Sequence, residues 1–316
     1  MAIIIRILWA SACFLPSLHA AALSPGNLLV SSNEILYEMS PDGSIIQSFA
    51  IPYGSGLHPV TESARDIAMG RDGRVHVYNG TFDPYLSTLN PITGTWEHRS
   101  IPGWTTVNNG SYGGIDILGD QVFLTNMKTF GEVEDQRSGL VRFNLLTGQI
   151  TFFAETIEPI DLTLGYDGLL YALFPGGSPE GSFIDVFDPM TLQPLRTISL
   201  ADTFGHTGHR SIAADANGNV YVADWDGDVQ IIDSSGNLID TLPTLASHND
   251  IALSTDGSLA LSTRFNGIYT TDTNFSNPAP ISTLENAFVA YIVPEPAAPS
   301  LLGLAILSIL SKRSRP

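Results

Sequence analysis

The chain has 316 residues, of which 43% are hydrophobic and 15% charged, and its net charge is −18. This composition is typical of a globular protein with a packed core and argues against a disordered chain. Its strong negative charge repels phosphate backbones and anionic membrane surfaces, and therefore argues against a nucleic-acid partner. The single cysteine, Cys13, leaves the body of the chain without a disulfide or a thiol nucleophile.

Residues 1–22 are predicted to be a cleavable signal peptide. Arg6 precedes an apolar run that ends before Pro16, and Ala20-Ala21-Ala22 fits the small-residue pattern of a cleavage site. An uncleaved N-terminal anchor is the alternative. A lipoprotein interpretation would use Cys13, but the apolar run continues past that residue.

Residues 23–293 contain a repeated strand pattern. Its clearest copy is Arg210–Leu242, in which short alternating strands are joined by Asn-Gly and Ser-Gly turns. This unit resembles the NHL repeat. Related copies open near Asp66, Asp116, Asp161 and Asp250, and repeats of roughly 40–50 residues indicate a β-propeller.

The first repeat lacks an inner strand. Residues 28–49 supply three strands, and residues 288–292 supply a fourth just before the C-terminal segment. A C-terminal strand that completes the N-terminal blade would close the ring and remove its exposed edges. We therefore predict an all-β protein with six blades, each a four-stranded antiparallel sheet.

The C-terminal segment, residues 294–316, has three parts in order. A Pro-Glu-Pro sequence is followed by a short apolar stretch and then by a basic end. The motif comprises Val293, Pro294, Glu295 and Pro296, and the basic cluster comprises Lys312, Arg313 and Arg315. This order resembles the PEP-CTERM sorting signal of exported bacterial proteins. The resemblance implies recognition by an exosortase, passage through the inner membrane and delivery to the cell surface or exopolysaccharide matrix.

The physical character of this tail agrees with that resemblance. The apolar stretch is marginal against the ~20 residues that span a bilayer, and the basic cluster would stay on the cytoplasmic side. A membrane anchor that is never processed is the alternative.

The recurring aspartates are the first candidate site. Asp66, Asp116, Asp161 and Asp250 are all expected near the central channel. Together they would supply a carboxylate ring for a hard cation such as Ca²⁺. The alternative, which we favour because the position recurs with the repeat, is that each carboxyl accepts backbone N–H groups at a blade junction.

Loop histidines are the second candidate site. His58, His206, His209 and His248 all precede inner strands, whose entry loops share one face of a propeller. Neutral imidazoles there would bind Zn²⁺ or act as a general base. The placement is similar to that in NHL-like lyases, such as the peptide-amidating lyase and virginiamycin B lyase, although no family signature surrounds these histidines.

Two hypotheses of function follow. The first is an exported, non-catalytic propeller that binds a saccharide or a protein at the cell surface or in the matrix. The second is a metal-dependent lyase or hydrolase that uses the histidines. The first is favoured because the sequence contains no P-loop, dinucleotide fingerprint, G-x-S-x-G or H-E-x-x-H motif. No cofactor is assigned, and zinc or calcium is the candidate if one is used.

Overall fold

A computed structural model describes most of the body of the chain. The described residues are 22–32, 34–52, 64–79, 85–101, 113–126, 139–153, 159–174, 182–200, 208–225, 227–242, 247–272 and 278–292. Among them, no helix has the length and apolar character needed to cross a membrane. The predicted signal peptide, apart from its last residue, and the predicted sorting segment lie outside the described residues.

The described strands form six separate four-stranded antiparallel sheets, which confirms the predicted six-bladed β-propeller. Blade one has the order β24-β1-β2-β3. Its strands are β1 (Leu28–Ser32), β2 (Ile35–Met39), β3 (Ile45–Ala50) and β24 (Phe288–Tyr291). Blade two comprises β4 (Ala64–Met69), β5 (Val75–Asn79), β6 (Tyr85–Asn90) and β7 (Thr95–Ser100). Blade three comprises β8 (Ile115–Leu118), β9 (Gln121–Asn126), β10 (Gly139–Asn144) and β11 (Ile150–Phe153).

The remaining three blades repeat the same meander in chain order. Blade four comprises β12 (Asp161–Leu164), β13 (Leu170–Phe174), β14 (Phe183–Phe187) and β15 (Pro194–Ser199). Blade five comprises β16 (His209–Ala214), β17 (Val220–Asp224), β18 (Val229–Ile232) and β19 (Leu238–Leu242). Blade six comprises β20 (His248–Leu253), β21 (Ser258–Thr263), β22 (Ile268–Asp272) and β23 (Ala279–Ser282).

Tight turns join the strands within each blade. In blade five, the carboxylate of Asp215 accepts the backbone N–H groups of Asn217 and Asn219 at 2.8 and 2.9 Å. Gly218 completes this turn with φ of 76°, a conformation that glycine adopts without steric cost. The same aspartate-to-backbone bonding recurs at Asp233 in the next turn of the blade. These local bonds explain why Asp-x-x-Gly segments predict hairpins in this chain.

The core lies between neighbouring blades because both faces of each middle strand are covered. Strands β5, β13 and β17 are buried at every position, whereas the outer strand β7 is exposed at most positions. One apolar cluster joins Tyr171 of blade four to Val222 of blade five. Each blade is therefore stabilised by packing against its neighbours, because a sheet that is apolar on both faces must be covered on both sides.

The ring closes in blade one, where strand β24 pairs with strand β1 in antiparallel register from Leu28–Tyr291 to Ser31–Phe288. At the end of β24, the N–H of Gly26 donates to the carbonyl of Ile292 at 2.9 Å. Both ends of the described body therefore lie together, on the side of the ring where the inner strands end. We call this side the lower face.

The opposite side, the upper face, carries the starts of the inner strands. It also carries the turns that join the second and third strands of each blade. His209 begins strand β16 and is paired with Asp224 at the end of β17, so both residues lie at the upper face.

Candidate functional site at the upper channel rim

The inner-strand aspartates tie neighbouring blades together. Asp66 accepts the N–H of Ile67 at 2.7 Å on one carboxyl oxygen and that of Ile115, in the next blade, at 2.8 Å on the other. Asp116 bridges in the same way from Ile117 at 2.7 Å to Leu164 at 2.6 Å. Each carboxyl thus satisfies backbone donors that would otherwise be buried without partners.

Asp161 and Asp250 extend this pattern and meet at one hydroxyl. Asp161 accepts Ile212 N–H, and Asp250 accepts Val289 N–H of the closing strand, at 2.8 and 2.7 Å respectively. Ser211 Oγ lies 2.7 Å from Asp161 Oδ2 and 2.7 Å from Asp250 Oδ1. A serine hydroxyl carries one hydrogen, so both contacts are hydrogen bonds only when one carboxyl is protonated.

Burial makes these carboxyls weak acids. Burial, and after it the negative charge of Asp250, raise the pKa of Asp161 to about 8. Burial also raises the pKa of Asp116 and of Asp250 to about 6 in each case. For Asp66, burial and the charges of Asp250 and Asp161 raise the pKa well above its ordinary value. The buried carboxyls thus bind protons and accept backbone N–H groups. The calcium site formed by a ring of carboxylates stays a prediction.

Two of the four predicted histidines, His209 and His248, are described, and both are buried in the wall of blades five and six. His248 is fully buried, and its Nε2 lies 2.9 Å from the carbonyl oxygen of Gly227, which can only accept, so Nε2 carries the proton. His209 is 4% exposed, and its Nδ1 lies 3.9 Å from Asp224 Oδ2. Burial lowers the pKa of His248, although Asp224 and Asp228 oppose the shift.

The predicted histidine cluster is therefore only partly described. His58 and His206 lie outside the described residues, as do Val293, Pro294, Glu295, Pro296, Lys312, Arg313 and Arg315. Within the ranges that the structure describes, no three histidine, cysteine or acidic side chains are placed to hold a metal ion. His248 Nδ1 is buried and has no hydrogen-bond partner within the same ranges. The zinc site stays a prediction that depends on the two outlying histidines.

A different group, whose assembly the sequence did not predict, lies beside the histidines. Trp225 follows strand β17, and the guanidinium carbons of Arg210 and Arg264 lie 5.1 and 5.0 Å from the centroid of its ring. Arg264 also lies 5.0 Å from the ring centroid of Phe265, whose side chain is 59% exposed. We call Arg210, Trp225, Arg264 and Phe265 the rim patch.

A signal for the rim patch is present in the repeat. Trp225 directly follows strand β17 and Arg264 directly follows strand β21, which are equivalent strands of neighbouring blades. Alignment of the two repeats would have placed both residues on the same turn of adjacent blades. Because one residue is a tryptophan and the other an arginine, the two repeats share no motif at this position. The sequence also suggests Trp96, Trp104, Tyr112 and Trp225 as a carbohydrate-stacking platform, with packing within the blades as the favoured alternative. Trp96 packs against a core cluster, while Trp104 and Tyr112 lie outside the described residues.

The central channel contains a cavity of about 340 Å³ that is lined by the inner strands of all six blades, including their aspartates. Tyr166 narrows its lower end, where the tyrosine hydroxyl donates to the carbonyl of Leu253, two blades away, at 2.8 Å. Burial raises the pKa of Tyr166, so this hydroxyl stays protonated as a donor. The rim patch and this narrowed end of the cavity thus lie at opposite ends of the inner strands.

Together, the four-stranded blades, the closing strand and the buried carboxyl ties define a six-bladed β-propeller of the type seen in binding proteins and enzymes alike. No protein-family model matches the chain, and no curated protein is similar to it in sequence.

Solved structures with the same architecture are numerous. The chain is similar to a propeller in the nidogen/laminin complex, with a TM-score of 0.60 and 13% identity over 85% of this chain and 99% of that one. It is similar to TolB from Acinetobacter baumannii, with a TM-score of 0.60 and 15% identity over 85% of this chain and 67% of that one. The chain is also similar to a protein of unknown function from Bacteroides caccae, with a TM-score of 0.55 and 12% identity over 85% of this chain and 99% of that one. At these identities the likeness establishes the fold alone.

Proposed function

We propose that this chain is an exported, non-catalytic interaction module that binds a protein partner at the upper face of its propeller. The observation that carries the proposal is the rim patch, where an exposed phenyl ring and an exposed guanidinium flank a partly buried indole. Exposed aromatic and arginine side chains are the residues that most often dominate the energy of protein interfaces.

The position of the chain ends supports display of that face. Gly26 and Ile292 are hydrogen-bonded to each other at the lower face, so any segment beyond residue 292 starts there. If the C-terminal segment anchors or sorts the protein as its sequence suggests, the upper face points away from the attachment point. The rim patch is then the part of the ring most accessible to a partner.

The surroundings of the described histidines favour binding over catalysis. His209 and His248 are buried, and His248 donates to a backbone carbonyl. A catalytic imidazole must reach a bound substrate directly or through one water molecule. The lyase or hydrolase hypothesis therefore depends on His58 and His206.

The printed description of one structural relative agrees with a protein partner. That propeller belongs to a complex of nidogen with laminin, in which two different proteins associate. The likeness is one of fold, and it supports the proposal only in that a chain of similar fold is part of a complex between two proteins there.

The test uses the full chain in its native host. An epitope tag is inserted in the exposed turn between Asn144 and Gln149, and intact cells are probed with antibody, then cross-linked and fractionated. We expect surface labelling and a cross-linked partner that is lost in the double variant Arg264→Gln/Phe265→Ala. The control is Arg74→Gln/Ile239→Ala, which also removes one exposed cation and one exposed apolar side chain.

Retention of the tagged protein inside the cell would overturn the proposed export. A cross-linked partner that survives the rim variant and is lost in the control would overturn the upper face as the interface. Metal-dependent cleavage of a substrate by the purified chain, abolished by His58→Ala or His206→Ala, would replace the proposal with the enzyme hypothesis.

A further inference from the structure

We infer that the rim patch is a carboxylate-recognition site for a protein segment in which an acidic side chain stands next to an aromatic or aliphatic one. This inference deepens the proposed function, because it names the chemistry of the partner at the same face. Arg264 would bind the carboxylate, and Phe265 with the edge of Trp225 would contact the apolar neighbour.

The guanidinium of Arg264 stacks on two aromatic rings, and its N–H donors have no acceptor among the described residues. Its contacts within the described residues are the two aromatic rings of Trp225 and Phe265, and it forms no ion pair or hydrogen bond with any of those residues. The backbone beneath it is fixed, since Arg264 N–H donates to the carbonyl of Ser247 at 2.9 Å. A guanidinium carries five N–H donors in a planar fork that matches a carboxylate bidentately.

Two positive charges converge on one indole. Arg210 comes from blade five and Arg264 from blade six, and both lie about 5 Å from the centroid of Trp225. Stacking on an aromatic ring attracts each cation only weakly, and like charges repel each other. Because Asp250 already opposes the charge of Arg210, the attraction for a bound anion lies mainly at Arg264.

Two described acidic groups of blades five and six have other partners. Asp224 is 3% exposed and lies 3.9 Å from His209, while Arg210 contacts Asn249 and lowers the pKa of the buried Asp250. By contrast, Arg74 on blade two lies within 4 Å of both Asp72 and Glu97. Among the described residues, Arg264 thus has no acidic partner and can pair with the carboxylate of a ligand, whereas Arg74 is already paired. Asp226 lies outside the described residues.

The net charge of the chain disfavours strongly anionic ligands. At a net charge of −18, the chain repels long polyanions such as acidic polysaccharides, and the repulsion extends over a Debye length of about 8 Å at physiological salt. A segment with one carboxylate in an otherwise apolar or basic surface avoids that repulsion. The exposed ring of Phe265 beside the guanidinium favours an apolar residue next to the carboxylate.

The experiment uses the full chain in detergent and a set of synthetic peptides. Each peptide carries one glutamate beside a phenylalanine, tryptophan or leucine in varied sequence, and each has a twin with glutamine in place of the glutamate. Hexuronate oligosaccharides are tested alongside. We expect glutamate peptides to bind roughly fivefold to tenfold tighter than their twins, and the advantage to shrink between about 50 and about 500 mM salt.

Variants separate this site from other surfaces. Arg264→Gln should abolish the preference for glutamate while Arg74→Gln retains it, and Phe265→Ala should weaken both twins alike. Arg264→Glu should prefer peptides with lysine in place of the glutamate, which a misfolded protein would not do. A thermal melt of each variant confirms that the propeller is intact.

Three results would overturn the inference: equal binding of the twins, a preference that survives Arg264→Gln, or Arg264-dependent binding of hexuronates without peptide binding. These failures are distinguishable from failure of the proposed function. If a cellular partner is captured equally well whatever the charge at position 264, the proposed interaction module is retained and the carboxylate-recognition site is rejected.

Discussion

Asp161 and Asp250, which lie two blades apart, share the hydroxyl of Ser211, with each carboxyl oxygen 2.7 Å from Ser211 Oγ. The same carboxyls accept backbone N–H groups of blade five and of the closing strand. Blades four, five, six and one are thereby joined through three side chains. Because one hydroxyl hydrogen cannot serve two carboxylates, the fold holds a proton here that an unfolded chain would release.

The first prediction concerns stability between pH 6.5 and 8.5. The folded pKa of Asp161, about 8, exceeds the ordinary value of 3.8, so the folded chain binds more protons in this range. Its stability should therefore rise as the pH falls from about 8.5 to about 6.5. Urea unfolding followed by tryptophan fluorescence measures this directly, and a midpoint that is flat or falls over the range would contradict it.

The lower limit of that range is set by the buried His76. Burial lowers its pKa from 6.5 to about 4, so the unfolded chain binds more protons there below pH 6.5. This histidine favours unfolding as the pH falls, in opposition to the aspartates. Burial lowers the pKa of His98 and His248 as well, and above pH 6.5 the opposing effect of all three histidines becomes smaller as the pH rises.

The second prediction is that Asp161→Asn flattens this pH dependence. The amide retains one carbonyl acceptor and can donate to Ser211 Oγ without holding a titrating proton. It cannot accept both Leu162 N–H and Ile212 N–H, so the variant should be less stable at pH 6.5. The comparison is the slope of urea midpoint against pH. Asp233→Asn, in an exposed turn, should keep the original slope.

The third prediction concerns the closing strand. Val289→Pro removes the N–H that donates to Asp250 at 2.7 Å and places a proline in an inner strand. We expect a loss of about 3 kcal/mol or more in the free energy of unfolding. Val289→Ala retains the N–H and should lose less, because only side-chain packing is removed. If both variants unfold at the same urea concentration, the hydrogen bond to Asp250 is not what closes the ring.

The fourth prediction uses two matched glycines in Asp-Gly turns. Gly43 and Gly73 have φ of 88° and 75°, so alanine is strained by about 1 kcal/mol at either position. A Cβ at position 43 would overlap the carbonyl oxygen of Ile281 in blade six, whereas nothing lies within 4 Å of one at position 73. Gly43→Ala should therefore lose roughly 1–3 kcal/mol more than Gly73→Ala in calorimetric or urea unfolding. Equal losses would show that the contact between blades one and six is not tight.

The sequence alone determined the propeller. Each blade is built from local hairpins whose signals are short range: aspartate and glycine in turns such as Asp215–Gly218, and apolar alternation along strands such as β17. Because these signals repeat, the number of blades and the need for a closing strand follow from counting them. Aspartates at the inner strands were also identifiable, since their position recurs with the blade.

Tertiary structure decided what those positions do. The shared proton depends on Ser211 standing where four other blades have aspartate, and on distances across three blades that no local pattern encodes. His209 and His248 stand at the starts of inner strands, where candidate ligands are expected, yet both are buried in the wall, and the carbonyl of Gly227 accepts a hydrogen bond from His248. The rim patch arises only when turns of two blades, 39 residues apart at Trp225 and Arg264, come together around one ring. Long-range contacts of this kind are set by how blades pack, and packing depends on the whole ring.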